Sequence, residues 1–167
     1  MLPDIRALGV KDLLQLEAGI VSELRNRGLV RTNNKPLGDI AEQVVLQARG
    51  GTLAPNSTKS HDITDPRGRR LQVKAMGKRS AGRSGRFSPF RTFDFDAAIF
   101  LVFGAEEFDL VLAREVTADE IETVARYSRH TNGRQPTLRQ VEGLGTDVTG
   151  EMRSGYDALD DYNVQRG

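Results

Sequence analysis

No cysteine occurs among the 167 residues. Disulfides and cysteine-ligated zinc sites are therefore excluded. Histidine is limited to His61 and His130, so a histidine-rich metal centre is not expected. No apolar run approaches the ~20 residues needed to span a bilayer, and the N-terminus, with Asp4 and Asp12, has no signal-peptide core. A soluble, cytoplasmic protein with no membrane partner is the expectation. The chain also lacks a strong overall charge. Its net charge is +1, which is not that of a polycation.

Charge is nonetheless unevenly placed. Residues 66–91 contain nine cations (Arg67, Arg69, Arg70, Lys74, Lys78, Arg79, Arg83, Arg86 and Arg91) and no Asp or Glu. The tail after Gly150 leans acidic. Asymmetry of this kind points to a polyanionic partner more than net charge does. The length fits one domain able to bury a core. We divide it into an N-terminal helix and loop (1–37), a core (38–130) and a C-terminal extension (131–167).

Helical spacing of Val10, Leu13, Leu14, Ala18, Val21 and Leu24 predicts a helix over 10–26 that packs on the core. A polar loop follows at 31–37. A second helix is expected over 38–49, ended by Gly50-Gly51. On its wheel Ile40, Ala41, Val44, Val45 and Ala48 form one apolar arc, with Gln43 and Gln47 opposite. Glu42 falls roughly 40–60° from Val45 and Leu46. It is either a partly exposed surface glutamate or a carboxylate directed at the neighbouring sheet.

Two strands, 61–65 and 69–76, flank the turn Pro66-Arg67-Gly68. The stretch 77–91 is rich in Gly, Ser and Arg, lacks periodicity and is expected to be mobile. The apolar run 95–103 reads as a central strand, and 108–116 as its hairpin partner. Thr117 caps a helix over 118–129, with Glu120 at the capping-box position. His130 then lies past a helix end. A short helix is expected near 136–141, a loop at 143–149, and frayed residues beyond.

The hairpin at 60–75 carries the chemistry. Side chains alternate along a strand. Leu71, Val73 and Ala75 turn to the core, while Gln72 and Lys74 share the other face. Asp62 shares its face with Thr64, opposite Ile63, so Asp62, Gln72 and Lys74 can converge. Phosphodiester hydrolysis calls for a hard divalent cation held by oxygen ligands. Asp62 supplies an anionic ligand, Gln72 a neutral oxygen, and the Val73 carbonyl another, with Glu42 reaching in from the helix. Lys74 would position the attacking water and offset charge on the phosphate. His61 should point away from this face, into packing or a hydrogen bond.

This arrangement resembles the PD-(D/E)xK nuclease superfamily, which includes type II restriction endonucleases, Mrr-like restriction enzymes and Holliday-junction resolvases. Its core order is a helix with a glutamate, a hairpin with Asp and (Glu or Gln)-x-Lys, then a further strand and helix, and that order runs here from Gly38 to about Arg129. The longer pattern, from PLGDIAEQ through NSTKSHDITDPRGRRLQVKA to FDFDAAIFLVF, is also similar to a group of small restriction-nuclease-like bacterial proteins. The chain departs from the superfamily pattern in two places. His61 stands where the proline of "PD" would be, and Gln72 replaces the commoner glutamate, as in Mrr-like enzymes. The resemblance implies an α/β, restriction endonuclease-like three-layer core with a central mixed sheet flanked by helices. It also implies a Mg²⁺-dependent DNA endonuclease, with Mn²⁺ as substitute, acting in restriction or defence as a homodimer. A non-catalytic DNA-binding module and a structure-specific repair nuclease are the alternatives. The basic residues Lys78, Arg79, Arg83, Arg86 and Arg91 are the expected DNA contacts. Phe87 or Phe90 would either stack on bases or anchor the loop.

Overall fold

The computed structural model describes residues 1–8, 10–31, 36–78, 85–104 and 108–164; for 10–14 and 161–164 only the backbone is described. The expectations for Arg79 and Arg83 lie outside these residues.

The architecture is mixed α/β, with a six-stranded sheet between two helical layers. Helices α1 (Val10–Asn26) and α2 (Pro36–Arg49) precede strands β1 (Thr52–Leu53), β2 (Ile63–Thr64), β3 (Arg70–Lys78), β4 (Ala97–Gly104) and β5 (Leu110–Thr117). There follow α3 (Ala118–Val124), a small hairpin of β6 (Tyr127–Ser128) and β7 (Gly133–Arg134), α4 (Leu138–Glu142), β8 (Thr146–Asp147) and α5 (Thr149–Val164). The sheet order is β1-β2-β3-β4-β5-β8. Only β3 and β4 run parallel; the other pairs are antiparallel.

Strand β4 is the centre. Its residues from Ala97 to Phe103 are all buried, as expected of a strand covered on both faces. Ile99, Leu101 and Phe103 face a layer built from α2 and α5, where they meet Val44, Val45 and Met152. Ala98, Phe100 and Val102 face the opposite layer with Phe87, Phe90, Ile121 and Val141. The register of β3 on β4, Val73 beside Ile99 and Lys74 beside Phe100, carries the same alternation into the functional hairpin.

Four features depart from the sequence reading. First, the segment after the masked residues 79–84 is pinned rather than mobile. Phe87 and Phe90 are buried, with Phe87 edge-on to Phe100 at 4.7 Å and Phe90 stacked on Phe95 at 5.3 Å. They anchor the chain and do not offer stacking faces for bases. Second, α3 stops at Val124. Arg134 Nη1 donates to the Ala125 carbonyl (2.9 Å), and the chain turns back as β6–β7, so His130 sits in a hairpin rather than past a helix end. The Thr117 cap forms, accepting from Glu120 N–H (3.3 Å).

Third, the C-terminal residues form α5, packed across α2. Met152, Tyr156 and Leu159 supply its apolar stripe, and Gly155 permits the approach: a Cβ there would lie 2.6 Å from the Val44 carbonyl oxygen. Fourth, α1 has its expected length but not its expected burial. Among its described side chains Ala18 and Ile20 are exposed and Val21 and Leu24 only half-buried.

Below the sheet an ion-pair network joins α2, the β2–β3 turn, β5 and α5. Arg49 pairs with Glu115 and Glu151. Arg69 pairs with Asp65 and Glu115, each at 2.9 Å. Asp65 is buried and also accepts from the Arg67 and Arg69 amides, both at 2.9 Å. Burial alone would raise its pKa, but these hydrogen bonds outweigh it and hold the carboxyl below its ordinary range. None of the described helices is long and apolar enough to cross a membrane.

Candidate active site

The site forms where β2 leaves the edge of β3. Pairing continues one step past β2, with Asp62 N–H donating to the Leu71 carbonyl (2.8 Å), and then stops. The next inward-facing amide on that edge, Val73 N–H, has the Asp62 carboxylate as its acceptor (Oδ2, 2.7 Å). A residue's N–H and C=O lie on the same side of an extended strand, so the Val73 carbonyl points to the same open edge.

Asp62, Gln72 and Lys74 lie on the face away from α2, as the alternation requires, with Ile63 and Leu71 buried against α2 and α5. Gln72 Nε2 donates to the Ser60 carbonyl (2.8 Å). This fixes its carboxamide and leaves Oε1 as its ligand atom. Lys74 Nζ donates to Ser88 Oγ (2.9 Å) and the Pro89 carbonyl (3.3 Å), and lies 4.6 Å from the Phe90 ring centroid. Burial lowers the Lys74 pKa; Asp62 opposes this and Arg91 adds to it.

Glu42 comes from the α2 side. Its side chain is 18% exposed and accepts from Arg31 Nη2 (3.1 Å). Arg31 also donates to the Ala54 carbonyl (3.1 Å). Burial first, and the charge of Asp62 second, raise the Glu42 pKa to about 7, against the pull of Arg31. Burial likewise raises Asp62, against the Val73 amide, Lys74, His61 and Arg31. Two carboxyls thus share a poorly solvated corner in which neither ionises easily.

Among the described residues no three His, Asp or Glu side chains come together as a metal group. The donors at this edge are instead two carboxylates, one amide oxygen and one backbone carbonyl. That all-oxygen set fits a hard divalent cation, whose charge would relieve the crowding of Glu42 and Asp62.

His61 makes the hydrogen bonds expected of it, to Ser60 Oγ (2.8 Å) and Thr64 Oγ1 (3.2 Å). Lys78, Arg86 and Arg91 are exposed on the strand end and returning chain. Sequence reasoning missed Arg31, Ser60 and Ser88, each of which positions a site residue. Arg31 lies in an ordinary polar loop, and nothing in its local pattern marks it.

No protein-family model matches the chain, and no curated protein matches it. Among solved structures, that of a bacterial homing endonuclease, I-Ssp6803I, is similar at 21% sequence identity, with a TM-score of 0.44 over 81% of this chain and 98% of that chain.

Proposed function

We propose that the protein is a metal-dependent DNA endonuclease of the PD-(D/E)xK type. The observation that carries this reading is the meeting of Asp62, Lys74 and Glu42 at the open edge of β3, with both carboxyls driven towards the protonated state. Asp62, Gln72, Glu42 and the Val73 carbonyl would hold Mg²⁺, or Mn²⁺ in its place. When bound, the cation lowers the pKa of water and offsets charge on the scissile phosphate. Lys74, steadied by Ser88 and Pro89, orients the attacking water and neutralises a phosphoryl oxygen. Its depressed pKa also lets it take up and release a proton more readily than an exposed lysine. Lys78, Arg86 and Arg91 grip the DNA backbone, together with Arg79 and Arg83.

Restriction or defence is the biological role in this proposal, and a homodimer is its assembly, since one site per subunit cuts one strand. Light scattering on the purified protein checks the dimer. The second reading, a DNA-binding module without catalysis, is favoured by one observation: Gln72 offers a neutral ligand where a carboxylate would bind a cation more tightly, and its nitrogen is committed to Ser60.

Supercoiled plasmid incubated with Mg²⁺ separates the two. Wild type converts it to nicked or linear forms, while Asp62→Ala and Lys74→Ala leave it intact with DNA binding retained. If no linear, branched, modified or single-stranded DNA is cut while salt-sensitive binding persists, the enzyme reading fails and the binding module stands. Preference for branched over linear duplex would move the role from restriction to repair.

A further inference from the structure

A second acid-free stretch lies in the C-terminal third. Between Glu122 and Glu142 there is no Asp or Glu, but Arg126, Arg129, Arg134 and Arg139 are present. The fold lays this stretch along the basic segment that returns to Lys74. Phe87 N–H donates to the Pro136 carbonyl (3.1 Å), Leu138 N–H to the Gly85 carbonyl (2.8 Å), and Phe90 and Arg134 exchange amide bonds of 2.9 Å. The contact is built in: a Cβ on Gly133 would lie 2.7 Å from the Phe90 carbonyl oxygen. Between the two strips is a pocket lined by Arg86, Arg126, Tyr127, Ser128 and Gln135, with Thr137 and Gln140 behind.

Most of this lining is already committed. Thr137 and Gln140 form a capping box on α4, Gln135 Nε2 donates to the Phe87 carbonyl (3.1 Å), and Tyr127 OH donates to Asn132 Oδ1 (3.0 Å). What remains uncommitted is two guanidinium groups and the Ser128 hydroxyl. The contrast with other arginines is sharp. Arg27, Arg31, Arg49, Arg69 and Arg70 all pair with carboxylates. Arg86 and Arg126 are exposed and form no ion pair with any described residue. Two unneutralised arginines converging with a hydroxyl, and no acid in the lining, match a phosphate oxyanion.

Ser88, which accepts from Lys74, is two residues from Arg86, a reach of at most ~7 Å along the chain. We propose that this pocket seats a backbone phosphate of duplex DNA, with Arg86 and Arg126 as its anchors, a short way along the strand from Lys74. The proposal rests on the nuclease reading and adds a residue from the C-terminal hairpin to the DNA surface.

The test is anisotropy of a labelled duplex in EDTA, so that no cleavage occurs, over a series of salt concentrations. Arg86→Ala/Arg126→Ala should weaken binding about tenfold or more at low salt and make the log–log salt slope shallower by about two. Arg126→Lys should retain most binding. Arg70→Gln, which removes a cation already paired with Asp94, should change little. Thermal melts should be unchanged, because both anchors are exposed. Wild-type binding with an unaffected double variant, or an equal loss in Arg70→Gln, overturns the phosphate seat and leaves the nuclease reading standing. Absence of salt-sensitive duplex binding in wild type removes both.

Discussion

Glu42→Gln should stabilise the protein in alkaline conditions while removing a proposed metal ligand. Glutamine keeps the volume and a hydrogen-bonding oxygen, so packing against α2 is little altered. The folded-state pKa of Glu42 is raised from 4.5 to about 7. Below about pH 4.5 the carboxyl is protonated in folded and unfolded chains alike, and the substitution is nearly neutral. As pH rises from there to 7 the unfolded chain gives up this proton first. The folded chain then binds more protons, so its stability falls with rising pH. Above pH 7 the penalty is fully present. A displacement of about 2.5 units corresponds to about 3 kcal/mol, and screening by the solvent that reaches the carboxyl reduces this to about 1–2 kcal/mol. The loss of the Arg31 partner is already contained in that displacement, because Arg31 pulls the other way. Urea unfolding at pH 8 should show the variant more stable by about 1–2 kcal/mol with an unchanged slope, and about a quarter of that gain at pH 5. Millimolar Mg²⁺ at pH 8 should stabilise wild type more than the variant. A variant no more stable than wild type at pH 8, or a gain independent of pH, would refute the strained-carboxylate argument.

Asp65→Ala removes the acceptor of three hydrogen bonds at the β2–β3 turn and should cost about 2–3 kcal/mol in urea unfolding. Because the Asp65 pKa lies below its ordinary 3.8, its contribution is present above about pH 4 and is lost as pH falls below that, so acid melts of wild type and variant should converge. Gly155→Val drives a side chain into the Val44 carbonyl of α2 and should lower stability by about 2–4 kcal/mol, read as a fall in melting temperature; an unchanged melt would mean that α5 does not pack there.

The site was more legible in the sequence than the frame around it. Period-two alternation in residues 69–76 put Gln72 and Lys74 on one face, and the helical wheel placed Glu42 beside the buried arc; both are local geometry. The apolar run at β4 marked the centre of the sheet for the same reason. Other features depend on what the chain meets after folding. Phe87 and Phe90 lie in a Gly/Ser/Arg-rich segment without periodicity, and their anchoring role exists only because β4 presents Phe100. Helix α5 is acidic, with a sparse apolar stripe that becomes a core face only against α2. Helix α1 shows the converse: spacing defined an apolar face, but nothing local says what covers it. Arg31, Ser60 and Ser88 position the site across long sequence separations and carry no motif.

The central claim is that Asp62, Gln72, Glu42 and the Val73 carbonyl form one divalent-cation site. Anomalous diffraction from a crystal soaked in Mn²⁺ tests it most directly. The account predicts a single strong peak among these oxygens, lost in Asp62→Ala. A Mn²⁺-soaked crystal with no peak there, Asp62 still on the Val73 amide and Glu42 still on Arg31, would contradict it.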